Sequence, residues 1–218
     1  MANLELWQKA AKAYQGGDYL KSAELYQQIA AEDPSEWTAL YNSGNSYYKA
    51  GHMPEAIDCY WKAYQKNPRS LSLNRNLNTA LTKVGESLVP RGMPSAIYRL
   101  GSFFVYEEWV VMAMIFWLVL GIASWLYFFR KKSSAIRKTI SASGILLLVS
   151  LLGTAFARLN YKTQWMVLQS PGLLRSGPSD TLPVTTQIPE GRIVKVLKKQ
   201  DDWLFIETRK ESLRGWMK

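Results

Sequence analysis

Two apolar runs decide how this chain is read: residues 110–129, VVMAMIFWLVLGIASWLYFF, and residues 140–159, ISASGILLLVSLLGTAFARL. The first holds no charged residue and, as a helix, extends about 30 Å, the thickness of a bilayer's hydrocarbon core. The second carries one charge, Arg158, next to its end. Between them lie Arg130, Lys131, Lys132, Arg137 and Lys138 and no acidic residue. The expectation is a two-helix transmembrane hairpin with one folded module on each side of it in sequence.

Short cytoplasmic loops collect Lys and Arg, so those five cations serve as a topology signal that places the loop in the cytoplasm and both tails across the membrane. Exporting the first tail requires a signal peptide, and the chain instead enters an amphipathic helical pattern at Leu4. Either a signal has been cleaved or omitted, Met1 then being a start added to the mature form, which is the preferred reading, or both tails are cytosolic.

The net charge of +10 is distributed unevenly. Residues 1–89 balance nine Lys/Arg against nine Asp/Glu, residues 90–162 carry nine against two, and residues 163–218 nine against six. The excess lies beside the apolar runs and not on a folded basic face, which argues against a nucleic-acid partner. Cys59 is the only cysteine and His52 the only histidine, so no disulfide and no Cys/His or Ser/His/Asp arrangement can assemble within the chain. No phosphate-cradling glycine loop, HExxH or thiolate cluster is present. Neither an enzyme, a metal site nor a cofactor is expected.

Residues 18–34 (DYLKSAELYQQIAAEDP) and 52–68 (HMPEAIDCYWKAYQKNP) are copies 34 residues apart, with Gly17 matching Gly51, Tyr14 matching Tyr48, Tyr26 matching Tyr60 and Pro34 matching Pro68. This pattern resembles the tetratricopeptide repeat, two antiparallel helices per unit, over residues 3–36 and 37–70. One unit cannot bury its own apolar face, so residues 71–88, with Leu73, Leu77, Leu81 and Val84 on one stripe, are expected to cap the stack and complete a domain over residues 1–89, stopped by Pro90. Repeat position turns Trp7, Ala11, Tyr14, Tyr41, Asn45 and Tyr48 toward a concave groove, with Arg75 and Asn78 as candidates from the cap. Aromatic rings beside amides suit an extended peptide or a partner helix; the alternative is that the rings only pack.

Residues 90–109 form the link to the membrane. Ile97, Leu100 and Phe104 share one face there, which reads as an interfacial helix or as a plain linker. In the second span Ser143, Ser150, Gly153, Thr154 and Ala157 make a small-residue seam for close helix packing. Bulky Phe116, Trp117 and Trp125 give the first span no matching seam, so some of this surface is expected to meet partner helices.

Strand chemistry begins near residue 164. The sequence LRSGPS at 174–179, the IPEG turn at 188–191, the VKVL strand at 194–197, Asp202-Trp203 and Gly215-Trp216 resemble the bacterial SH3 domain over residues 160–218. The resemblance implies a small all-β barrel that binds without chemistry. Arg175, Trp203 and Trp216 are candidate ligand contacts; the competing reading has Arg175 tying turn carbonyls and both tryptophans closing the core. The fold class expected is therefore a multidomain membrane protein: an all-α repeat domain, a transmembrane hairpin and a small β barrel.

Repeat, two spans with a basic loop and a terminal SH3-like module, in that order, resemble the BatE family of the Bat (Bacteroides aerotolerance) group. The resemblance implies a bacterial inner-membrane scaffold with both termini periplasmic. Its partners would be von Willebrand factor A-type Bat membrane proteins and, indirectly, a MoxR-type AAA+ ATPase in envelope stress or maintenance, with membrane lipid around the spans. The alternatives are a receptor whose last module binds peptidoglycan, and an envelope assembly factor.

Overall fold

The computed structural model describes residues 2–89, 92–130 and 132–218. They divide into two compact units, Met1–Ser95 with Thr163–Lys218, and Ala96–Lys162.

The first unit opens with five helices: α1 (Ala2–Gln15), α2 (Tyr19–Glu32), α3 (Trp37–Ala50), α4 (Met53–Lys66) and α5 (Leu71–Lys83). Asp18 and Ser70 cap α2 and α5 by accepting from the N–H groups of Lys21 and Leu73. The ends of α1, α3 and α5 share one device. Gly17, Gly51 and Gly85 lie at φ +83°, +85° and +72°. The N–H of the next residue bonds back five positions, Asp18 to Ala13 at 2.9 Å, His52 to Tyr47 at 3.0 Å and Glu86 to Leu81 at 2.8 Å. This is the Schellman turn, whose left-handed residue favours glycine. The three glycines are spaced by 34, so α5 stands as the first helix of a third repeat. It ends at Lys83, before the expected residue 88; Pro90 lies outside the described residues.

These helices stack as antiparallel pairs, a tetratricopeptide-like arrangement. Ala10, Tyr26, Ile29 and Ala39 form one core, and Tyr60, Leu73, Leu77 and Leu81 are almost wholly buried. Buried hydroxyls are satisfied across helices: Ser22, where the second copy has Ala56, bonds the Ala10 carbonyl at 2.9 Å, and Ser43 the Ala23 carbonyl at 3.1 Å.

The same unit contains β1 (Gln164–Val167), β2 (Gly172–Arg175), β3 (Val184–Ile188), β4 (Ile193–Gln200), β5 (Trp203–Thr208) and β6 (Arg214–Met217). They pair antiparallel in the order β1-β4-β5-β6-β2-β3. The expected barrel is an open sheet in its hydrogen bonding, with β1 and β3 at its edges. It is nevertheless curled. Four strand spacings, about 19 Å in a flat sheet, separate β1 from β2. Yet a Cβ on Gly172 of β2 would lie 3.5 Å from Leu168, the residue after β1. Leu168, Leu174, Ile188, Val194, Ile206 and Met217 fill the enclosed core.

The sheet docks on the repeat. The Arg209 guanidinium lies 4.7 Å from the ring centre of Trp61 on α4 and 5.2 Å from that of Trp165 on β1, and donates to the Leu88 carbonyl. Arg192 pairs with Glu86 at 3.1 Å and Glu211 at 3.4 Å, the Glu86 side chain being 1% exposed. Gly191 fits against Val84 and Ile57, where a Cβ would meet Val84 at 2.9 Å. The second helix of a third repeat would need this surface; here the sheet caps the stack in its place.

The second unit holds α6 (Ser95–Phe103), α7 (Tyr106–Phe129) and α8 (Ser134–Lys162). Glu108 accepts from the Val105 N–H at 3.1 Å, and with Glu107 it places negative charge at the α7 N-terminus. Helices α7 and α8 pair antiparallel, and both are long and apolar enough to cross a membrane. Most of their large side chains are uncovered by the chain: Trp117 is 65% exposed and Leu152 64%.

Candidate functional site

Gly44 opens the site. A Cβ there would come within 2.6 Å of the Tyr60 ring, so only glycine lets α4 press this close to α3. The Tyr60 ring, 1% exposed, passes beneath α3 and delivers its hydroxyl to the far side, where it donates to Asn45 Oδ1 at 2.8 Å. Asn76 Nδ2 of α5 donates to the same oxygen at 2.9 Å and to the Tyr41 hydroxyl at 3.1 Å. Three helices are thereby joined through one amide oxygen. The bonds fix the Asn45 carboxamide and leave its N–H groups for the groove.

This network floors a cavity of about 310 Å³ lined by Tyr14, Asn45, Tyr48, Lys49, Tyr60, Asn76 and Thr79. Its volume equals that of about ten waters at roughly 30 Å³ each. Burial, then the neighbouring Tyr41, pushes the Tyr60 phenol well above its ordinary range, so it stays a neutral donor. Lys83 Nζ lies 4.4 Å over the Tyr48 ring. Neither Lys49 nor Lys83 is ion-paired with any described residue.

Of the residues expected at the groove from sequence, Tyr14, Asn45 and Tyr48 line the cavity. Tyr41 sits beside it as a hydrogen-bond partner. Trp7 packs edge-on against Tyr26 at 5.4 Å and belongs to the core wall. Arg75 and Asn78 are exposed and do not line the cavity; Asn76 and Thr79 stand there instead. Sequence reading missed Tyr60, Lys49, Asn76 and Lys83. A signal existed for the lysines, which are 34 residues apart. No such signal picked Asn76 among Asn74, Asn76 and Asn78, because the rotation of α5 is set by its packing.

The seam on α8 faces α7. Ser143 and Ser150 are 3% and 2% exposed, and each hydroxyl bonds a carbonyl one turn back, Thr139 and Leu146, at 2.8 Å. Thr154 bonds the Ser150 carbonyl at 2.8 Å. Trp109 of α7 lies on Gly153, where a Cβ would clash with its ring, and Ala157 is half-buried. The first span does supply a matching surface: Trp109, Ala113 and Ala123, with half-buried Phe116, Leu120 and Tyr127, follow a four–three spacing. The seam therefore serves the hairpin itself and is not the free surface for partner helices expected from sequence. Arg130, Lys132, Arg137 and Lys138 are exposed around the α7–α8 turn; Lys131 lies outside the described residues.

In the sheet, Arg175 donates to the Leu182 carbonyl at 2.6 Å and so ties its own turn. Trp203 is buried, with Lys218 Nζ 5.9 Å from its ring centre. Trp216 is half-buried against Phe205 at 5.2 Å. Arg175 stands opposite Trp216 in the β2–β6 register. No group of three or more His, Cys, Asp or Glu side chains that could hold a metal occurs among the described residues.

No family model matches the chain, and no curated protein matches it. Solved structures similar to it include three complexes. A type III secretion complex from Aeromonas hydrophila is 14% identical, covering 71% of this chain and 83% of that one, with TM-score 0.37. PcrH with the chaperone-binding region of PopD is 11% identical, covering 68% and 90%, with TM-score 0.36. The Yersinia enterocolitica type III secretion chaperone SycD with a peptide of the translocator YopD is 14% identical, covering 70% and 95%, with TM-score 0.37.

Proposed function

We propose that this chain is a non-catalytic membrane scaffold that holds a segment of a partner protein in the groove of its helical repeat. The observation that carries this reading is the floor of the groove, where Tyr60 and Asn76 donate to Asn45 Oδ1, Asn76 is tied in turn to the Tyr41 hydroxyl, and the Asn45 N–H groups are left unbonded among the described residues. A core polar network closes on itself, whereas this one ends in free hydrogen-bonding groups beside a cavity, as recognition of a peptide backbone requires.

The spans α7 and α8 anchor the scaffold in the bilayer. Their uncovered apolar surface supports this, as does the co-folding of residues on both sides of the hairpin into one unit. Two stretches that pack together lie in one compartment, so the intervening chain crosses an even number of times. The exposed cations at the α7–α8 turn favour a cytoplasmic loop and periplasmic tails. The exposed Ile97, Leu100 and Phe103 of α6 suit the membrane interface. The terminal sheet is read as a bacterial SH3-like module, and the partners to test first are the von Willebrand factor A-type Bat proteins and the MoxR-type ATPase that the resemblance implies.

Purification in mild detergent, with and without Asn45→Ala/Tyr48→Ala, tests the scaffold. A protein that co-purifies with the native chain and not with the variant supports it. Recovery of the native chain alone, under conditions that preserve membrane complexes, refutes it.

A further inference from the structure

The charge of the repeat is sorted by helix. The first helices α1, α3 and α5 carry five Lys/Arg against Glu5 alone, while the second helices α2 and α4 carry three against four Asp/Glu. The first helices supply most of the cavity lining; of their cations Lys49 lines it, while Lys9 pairs with Glu5 and Arg75 stands outside it. Two of these cations are placed by the repeat itself. Lys49 and Lys83 are 34 residues apart, hence at equivalent positions on neighbouring first helices, which pack about 8–10 Å apart. Lys49 lines the cavity, and Lys83 reaches back over Tyr48, another lining residue.

We infer that the groove takes an extended acidic segment of a partner protein, with the Asn45 amide on its backbone and Lys49 and Lys83 on its carboxylates. This rests on the groove being the partner site. An extended chain rises about 3.3 Å per residue, so acidic side chains two or three residues apart match the spacing of neighbouring first helices. Tyr14 and Tyr48 offer ring faces for the side chains between. A basic segment would meet unpaired ammonium groups, and an apolar helix would strand the free Asn45 N–H groups without acceptors.

The test uses the full chain in nanodiscs of neutral lipid, with short labelled peptides of Gly, Ser and Thr carrying Glu, Gln or Lys at every third position. The Glu peptide should bind about tenfold more tightly than the Gln peptide. Lys49→Glu/Lys83→Glu should erase that preference and favour the Lys peptide, and Lys49→Gln/Lys83→Gln should give the smaller loss. Both lysines are surface side chains, and circular dichroism should match the native chain. Asn45→Ala should weaken the Glu and Gln peptides alike. Equal binding of Glu and Gln peptides, both lost with Asn45→Ala, overturns the acidic specificity and keeps the groove. No binding of any peptide overturns both. Glu-peptide binding that survives charge reversal also overturns the inference, and so does a charge-reversal effect seen only on vesicles of anionic lipid.

Discussion

Arg209→Ala is the sharpest probe of how the two tails become one body. The native guanidinium is 7% exposed and lies between two indole rings, one from each part. Each desolvated cation–π contact is worth up to about 2 kcal/mol, and the charged bond to the Leu88 carbonyl about 1.5–3 kcal/mol. Alanine also removes the cost of desolvating the cation, so the net loss should be about 3 kcal/mol. That is about a hundredfold in the docking equilibrium. Arg209→Lys keeps the charge, loses the planar stack and should fall between. Spin labels at exposed Lys66 on α4 and Lys199 on β4 report the docking in the full chain. One narrow distance distribution is expected for the native protein and a second, longer population for Arg209→Ala, enlarged when Glu86→Ala strips Arg192 of its buried partner. A single narrow distribution in both variants would mean the sheet is held by something other than these cations.

Gly44→Val should lower the thermal midpoint of the helical signal, since its side chain must enter the space of the Tyr60 ring; about 1–3 kcal/mol of overpacking is expected, and an unchanged melt would show that the ring has room to retreat. Burial raises both the Cys59 thiol and the Tyr60 phenol above their ordinary values. Their contribution to stability is therefore full below the unfolded values, about pH 8.5–10, and is lost as pH rises toward the folded ones. Melts should be flat near neutrality and fall at alkaline pH, with a shallower fall in Tyr60→Phe. Cys59 is 2% exposed, so it should resist an impermeant maleimide and leave engineered cysteines readable. Ser35→Cys and Ser212→Cys should label from the periplasm and Ser134→Cys should not; labelling of Ser134→Cys alone would invert the topology.

Much of the local architecture was legible in the residues. Gly17 and Gly51 marked turns because a Schellman end needs a left-handed residue, a requirement met within a few bonds. The apolar runs at 110–129 and 140–159 announced long helices because length and apolarity belong to the segment itself. The groove was legible in part. Asn45, Tyr14 and Tyr48 follow from repeat position, but repeat position points to Arg75 where Asn76 stands, because a small rotation of α5 changes which side chain enters the groove. The small-residue seam of α8 was visible, but its occupant was not, since Trp109 begins α7 with a bulky ring that only a facing glycine accommodates.

The sequence by itself determined the repeat, its turns, the two long apolar helices and the strand-rich tail, because each is a pattern of near neighbours. Only the tertiary structure decided that the strand-rich tail closes the helical stack, that Arg209 and Arg192 sit at that closure, and that one asparagine oxygen joins α3, α4 and α5. Those contacts join residues more than a hundred positions apart, or depend on the exact rotation of a helix. Their energies come from desolvated charge and packing, which exist only once the chain has brought the partners together.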